Sequence, residues 1–246
     1  MHRYHILIEY VGTSFNGWQT QIKGKTIQKL IELKIKKIIK EKIKLIGSGR
    51  TDSGVHAFEQ SAHFDCKNKI ENLDKFIKSI NFFLNNYFIS ILSVKKKNLT
   101  FHARYSAKMR VYKYVIFNRK SKPSIYRDRG WHISSKINLS IMRQGAKKLL
   151  GKNDYSTFRS SSCNAKSPIK SIKSIKILKT NNIIYLKFAS QSFLQQQVRS
   201  MVGCLKYLGE GKWSLQKFVK VFKSRKRTLC APPAPANGLF LEKVIY

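Results

Sequence analysis

At 246 residues, 42% of them hydrophobic, the chain is long enough to bury a core and has the balance of a globular protein. Its 49 Lys+Arg against 12 Asp+Glu leave a formal charge of +37, a field that favours a polyanionic partner, nucleic acid first. No run approaches the roughly eighteen apolar residues of a membrane helix, no signal peptide is expected ahead of the first apolar segment, and four scattered cysteines without a CxxC pair indicate neither a zinc site nor a disulfide framework.

A soluble, cytoplasmic protein is therefore expected, with Cys66, Cys163, Cys204 and Cys230 as reduced thiols. Lys, Ile and Asn are abundant throughout, including on solvated faces such as Lys34, Lys36, Lys37 and Lys40. That is the pattern of AT-biased coding, so the size of the charge is discounted as an RNA footprint while its sign stands.

In chain order, RYHILIEYV predicts a strand. TIQKLIELKIKKIIK predicts a helix, with Ile27, Leu30, Ile31, Ile35, Ile38 and Ile39 on one stripe and lysines opposite. Strands follow around IKLIGSG and FEQSAHFDC, then a helix over LDKFIKSINFFL and a strand at FISILSVKK. The second half reads as a strand RVYKYVIFN, a helix over residues 139–150, strands SIKSIKILK and IIYLKFAS, helices over 193–207 and 215–223, and a last strand GLFLEKVIY. Two βαββαβ lobes follow from this order, residues 1–104 and 105–246, an α+β protein whose antiparallel sheets flank a central cleft. SSSCNAKSP (160–168) and APPAPANG (231–238) have loop composition, compatible with substrate-facing loops or with plain connectors.

The candidate for chemistry is GSGRTDSGVHA, from Gly47 to Ala57, in which three glycines surround Arg50, Thr51 and Asp52. An exposed Asp52 two residues from Arg50 is favoured in its ionised, oriented form and is then able to act as a nucleophile. Taken alone, Asp-Ser-Gly reads equally as an ordinary turn in which the aspartate bonds its own backbone. Tyr112 and Tyr114 share one strand face and, from the period alone, read as core aromatics. Arg199 lies beside an apolar stripe of Leu194, Val198, Met201, Val202 and Leu205, on a face with Gln195 and Gln196. His56, His63 and His102 lack metal-ligand spacing. Arg104, Arg110, Lys113, Arg159, Lys166 and Lys170 are candidate phosphate contacts or solvated cations.

The eleven-residue loop resembles the GxGRTDxGVHA signature of the tRNA pseudouridine synthase A family, and further blocks match in order: YVGTSFNGWQTQ, FHARYSAKMRVYKY, GKNDYSTFR, FLQQQVRSMVG and APPAPANGLFLEKVIY. The resemblance implies isomerisation of uridine to pseudouridine at positions 38, 39 and 40 of the tRNA anticodon arm, without cofactor or metal. It further implies Asp52 as the catalytic carboxylate, Arg50, Tyr112 and Arg199 as substrate-binding residues, and a homodimer that works on tRNA away from any membrane. Val11, Glu59, the stretch near Asn85 that lacks an LP dipeptide, and Lys152 and Asn153 depart from the family pattern.

Overall fold

Tyr4, Ile6, Ile8 and Tyr10 alternate onto one buried face and make His2–Tyr10 the first strand, β1, in the computed structural model, which describes all residues from Met1 to Tyr246. The architecture is mixed α+β, and the chain divides into two units, Met1–Lys108 with Phe240–Tyr246, and Met109–Leu239.

In the first unit the helix α1 (Ile27–Ile39) buries Ile27, Ile31 and Ile35, one residue per turn, and ends at Lys40 in the left-handed region. The helix α2 (Leu73–Leu84) buries Phe76, Ile80 and Leu84 at the same spacing, and its Asn72 cap accepts the Lys75 amide at 2.8 Å. Each fully buried isoleucine or phenylalanine contributes about 2 kcal/mol by its removal from water. Between the helices run β2 (Ile46–Gly47) and β3 (His56–Cys66), and β4 (Ile89–Lys97) follows α2. The strand β1 pairs antiparallel with β3 on one side and with β4 on the other. β3 also pairs with β2, and the C-terminal strand β10 (Leu239–Ile245) joins it in parallel, with Phe240 opposite His56 and Leu241 opposite Ala57.

The second unit is built on β5 (Met109–Asn118), β8 (Ile169–Thr180) and β9 (Ile183–Ser190), antiparallel neighbours in the order β5, β9, β8. Two short strands extend it: β6 (Trp131–Ile133) runs parallel to β5, and β7 (Gly151–Asp154) antiparallel to β8. Neither is signalled by periodicity, since three and four residues are too few to show one. Its helices are α3 (Leu139–Lys148), α4 (Gln197–Gly209) and α5 (Leu215–Lys223).

The start of α4 corrects the expectation of a helix from Phe193. Gln196 sits at φ 60°, in the left-handed region, and the Gln197 side chain accepts the Leu194 amide at 2.7 Å. Residues 193–196 thus form a turn leading into the helix, and Gln195 and Gln196 do not share a helical face with Arg199. The chain has no helix long and apolar enough to cross a membrane.

Candidate active site

Asp52 lies on the loop between β2 and β3, half-buried, and the loop is fixed residue by residue. Thr51 is buried: its hydroxyl meets the Tyr10 hydroxyl at 2.8 Å, and its carbonyl accepts the Trp18 amide at 3.1 Å. On the other side of the aspartate, the Ser53 hydroxyl donates to the Phe15 carbonyl at 2.9 Å. The Val55 amide closes the turn on the Asp52 carbonyl at 3.2 Å, with Gly54 at φ 78°. The first three of these contacts come from the segment between Tyr10 and Trp18. Two sequence blocks forty residues apart are therefore one structure, the first holding the second in place.

The tightest point is Gly12. A Cβ there would stand 2.0 Å from the Val55 carbonyl oxygen, so no residue but glycine fits without moving the loop. The Gly12 amide also donates to His56 Nδ1 at 3.1 Å, and the His56 ring stacks on Phe240 with centroids 4.7 Å apart. His63 Nδ1 likewise accepts the Ala103 amide, and His102 Nδ1 the Arg104 amide, both at 3.1 Å. Each of the three rings is thereby committed to holding backbone.

Arg50 is exposed and is directed by a polar relay reaching into α1. Its Nε donates to Gln19 Oε1 at 3.1 Å, Gln19 Nε2 donates to Gln28 Oε1 at 2.8 Å, and Gln28 Nε2 donates to the Leu45 carbonyl and to Glu32 Oε1, both at 3.0 Å. Gln28 is buried, so the relay ends on a rigid base. Gln19 is a residue that the sequence leaves unmarked except as part of a block.

In the second unit Tyr112 and Tyr114 both point to the buried face of β5, and their surroundings separate them. Tyr114 is fully buried, and its hydroxyl donates to the Pro235 carbonyl at 2.8 Å. Burial pushes its phenol well above the usual range, against the pull of Arg199, so it stays a protonated donor. Tyr112 is 8% exposed and meets the Phe193 ring edge-on at 5.3 Å, with the planes at 89°.

Arg199 is half-buried on α4 and is tied to the proline-rich segment twice: its Nε donates to the Ala234 carbonyl at 2.7 Å, and its own carbonyl accepts the Ala234 amide at 3.0 Å. That segment is pressed on the helix, since a Cβ at Gly203 would stand 2.1 Å from the Pro232 carbonyl oxygen. Residues 231–238 are thus a packed strap between α4 and β5, with Ala231 and Ala234 buried. The other loop, 160–168, is tied to residues 193–196 by the Ser160 amide, which donates to the Gln195 carbonyl at 3.1 Å. Among the candidate phosphate contacts, Arg110 is buried and donates to the Gln191 carbonyl, and Arg159 donates to the Cys163 carbonyl.

A strongly basic α+β chain that presents a carboxylate on a rigidly held, glycine-rich turn has the outline of a nucleic-acid-modifying enzyme. The sequence model described as tRNA pseudouridine synthase matches residues 6–106 and 146–246, and the chain belongs to that family. Asp52, Arg50 and Arg199 lie inside the matched stretches, and Tyr112 lies between them. The chain is 66% identical to the tRNA pseudouridine synthase A of Pelagibacter ubique over 246 residues, the whole of both proteins. It is 40% identical to that of Paramagnetospirillum magneticum, covering all of this chain and 96% of the relative, and 38% identical to that of Maricaulis maris, covering all of this chain and 98% of the relative.

Proposed function

We propose that this protein isomerises uridine to pseudouridine in tRNA, at positions 38, 39 and 40 of the anticodon arm, with Asp52 as the catalytic carboxylate. The observation that carries the reading is the Asp52 turn itself. Both neighbours of the aspartate are anchored, by Thr51 to Tyr10 and by Ser53 to Phe15, while the carboxylate is left half-buried on the loop. A nucleophile or base must be held in this way if its geometry is to survive substrate binding.

The reaction breaks the bond between uracil N1 and ribose C1′, turns the ring, forms a bond from C5 to C1′, and moves the C5 proton to solvent while N1 gains one. Atoms and electrons balance within the nucleotide, so the residues needed are a carboxylate, a surface that retains the freed base, and a proton acceptor. Asp52 supplies the first, acting on C1′, on the uracil ring or on a sugar proton. Tyr112, with Phe193 against its ring, supplies an aromatic face and a hydroxyl for proton transfer at C5. Arg50, oriented by Gln19, and Arg199, on α4, bind the RNA backbone or the extruded nucleotide. The working form proposed is a cytoplasmic homodimer that acts on tRNA.

The test is to incubate unmodified tRNA with the protein and map pseudouridine at single-nucleotide resolution. Modification confined to positions 38, 39 and 40 supports the reading. Unmodified tRNA after full incubation sinks the activity, and modification elsewhere sinks the stated sites.

A further inference from the structure

Cys204 and Cys230 are 26 residues apart in sequence, yet their sulfurs are in direct contact, Sγ to Sγ 3.4 Å. Cys204 lies on α4 and is buried, five residues after Arg199. Cys230 is half-exposed and immediately precedes the strap that begins at Ala231. Beside the pair stands Arg227, whose guanidinium donates to the Ser200 hydroxyl on the same helix at 3.1 Å. The hydrogen bond from Cys204, together with the Arg227 guanidinium, draws Cys230 toward the thiolate against its burial. The hydrogen bond to Cys230 and burial hold Cys204 as a thiol. A half-exposed, cation-flanked cysteine in contact with a buried partner is the arrangement of an attacking and a resolving cysteine.

From this contact we infer that Cys204 and Cys230 are a reversibly oxidisable dithiol that controls the seating of Arg199. The oxidant is hydrogen peroxide. The Cys230 thiolate attacks the peroxide, forming an S–O bond as the O–O bond breaks, and the departing hydroxide takes a proton to become water. The Cys204 sulfur then attacks the sulfenic sulfur, the S–S bond forms, and the hydroxyl leaves as a second water with the Cys204 proton. Two thiols lose two electrons and one peroxide gains them. The bond draws the sulfurs from 3.4 Å to about 2.05 Å and fastens the strap to α4. Arg199 Nε is bonded to the Ala234 carbonyl of that strap and its carbonyl to the Ala234 amide. With the strap fastened, the guanidinium stays on Ala234 and is withheld from RNA, so the oxidised protein is the weaker binder. This last step rests on the proposed role of Arg199, and the crosslink does not.

The full-length protein is treated with a small excess of hydrogen peroxide, trapped with a maleimide after unfolding, and mapped by peptide mass spectrometry. The expected result is the loss of two of the four thiols into a Cys204–Cys230 crosslink that dithiothreitol reverses. The Ala234 amide should exchange about tenfold more slowly in the crosslinked form, and the KM for tRNA should rise fivefold or more, both returning on reduction. Cys230→Ser, at a half-exposed position, should keep the reduced protein's KM and show none of these responses. Persistence of all four thiols, a crosslink elsewhere, or a crosslink that leaves Ala234 exchange and KM unchanged would each overturn the inference. Absence of activity in the reduced protein would instead count against the proposed function, because thiol mapping and exchange are read without turnover.

Discussion

Replacing Gly12 by alanine tests the claim that the first sequence block exists to hold the Asp52 loop. The new Cβ would lie 2.0 Å from the Val55 carbonyl oxygen and 2.7 Å from its carbon, where an ordinary carbon–oxygen contact is about 3.3 Å. More than 1 Å of movement is needed, and neither side is free to give it. Gly12 is held through its amide to His56 Nδ1 and through its carbonyl to the Phe15 amide, and Val55 through its amide to the Asp52 carbonyl. Overpacking of this kind costs about 1–3 kcal/mol, and loss of one buried hydrogen bond adds about 1 kcal/mol. A total near 3 kcal/mol corresponds to a fall in Tm of roughly 10 °C for a chain of this size. Displacing Asp52 by about 1 Å lowers the rate on the order of 100-fold. Gly211→Ala is the control: its Cβ meets nothing within 4 Å, and its φ of 75° alone costs about 1–2 kcal/mol, with turnover unchanged. Denaturant unfolding and initial rates of pseudouridine formation measure both effects. A Gly12→Ala protein within 0.5 kcal/mol of wild type and within twofold in rate would refute the reasoning.

Acid should unfold the first unit through two histidines. Burial, reinforced by Lys97 and Lys95 at His5 and by Arg3 at His63, lowers each imidazole to about 4, so between pH 6.5 and 4 the unfolded chain binds more protons than the folded one. Stability is then full above pH 6.5 and falls as pH drops toward 4, by up to about 3 kcal/mol for each group, and a flat profile over that window in chemical denaturation would contradict the assignment. Tyr112→Phe should slow turnover about 10- to 100-fold, whereas Tyr114→Phe should slow it far less and should cost about 1 kcal/mol of stability by orphaning the Pro235 carbonyl. The reverse ranking in paired unfolding and kinetic assays would exchange their roles. Gln19→Ala should raise the KM for tRNA several-fold by releasing Arg50 and leave Tm within about 2 °C, and an unchanged KM would remove Gln19 from the site.

Much of the fold follows from local pattern. The span of α2 and the strand β9 are as the apolar spacing predicts, because a stripe of Phe76, Ile80 and Leu84 admits one helix and Asn72 marks its start. What periodicity does not carry is contact between distant segments. Nothing local in YVGTSFNGWQTQ says that it clasps the Asp52 turn, nor that Cys204 meets Cys230, because both arise from packing across tens of residues. The entry to α4 escapes for another reason: glutamine at φ 60° carries no marker in composition, and the apolar stripe runs straight through the turn. The period of two puts Tyr112 and Tyr114 on one face and cannot rank them. Their different neighbours, the Pro235 carbonyl at Tyr114 and the Phe193 ring at Tyr112, come from packing and not from the period. Val11, a departure from the family pattern, uses its backbone amide, bonded to the Phe88 carbonyl at 3.0 Å, which any residue but proline supplies.

The central claim is that the Asp52 carboxylate performs the chemistry while the fold around it performs the binding. The most direct measurement compares wild type and Asp52→Asn in single-turnover pseudouridine formation on one tRNA, with the Kd of that tRNA measured for both. Predicted is a loss of at least about 1,000-fold in rate with Kd within threefold, since the amide keeps the shape and loses the carboxylate. An Asp52→Asn protein that retains wild-type turnover would contradict the account.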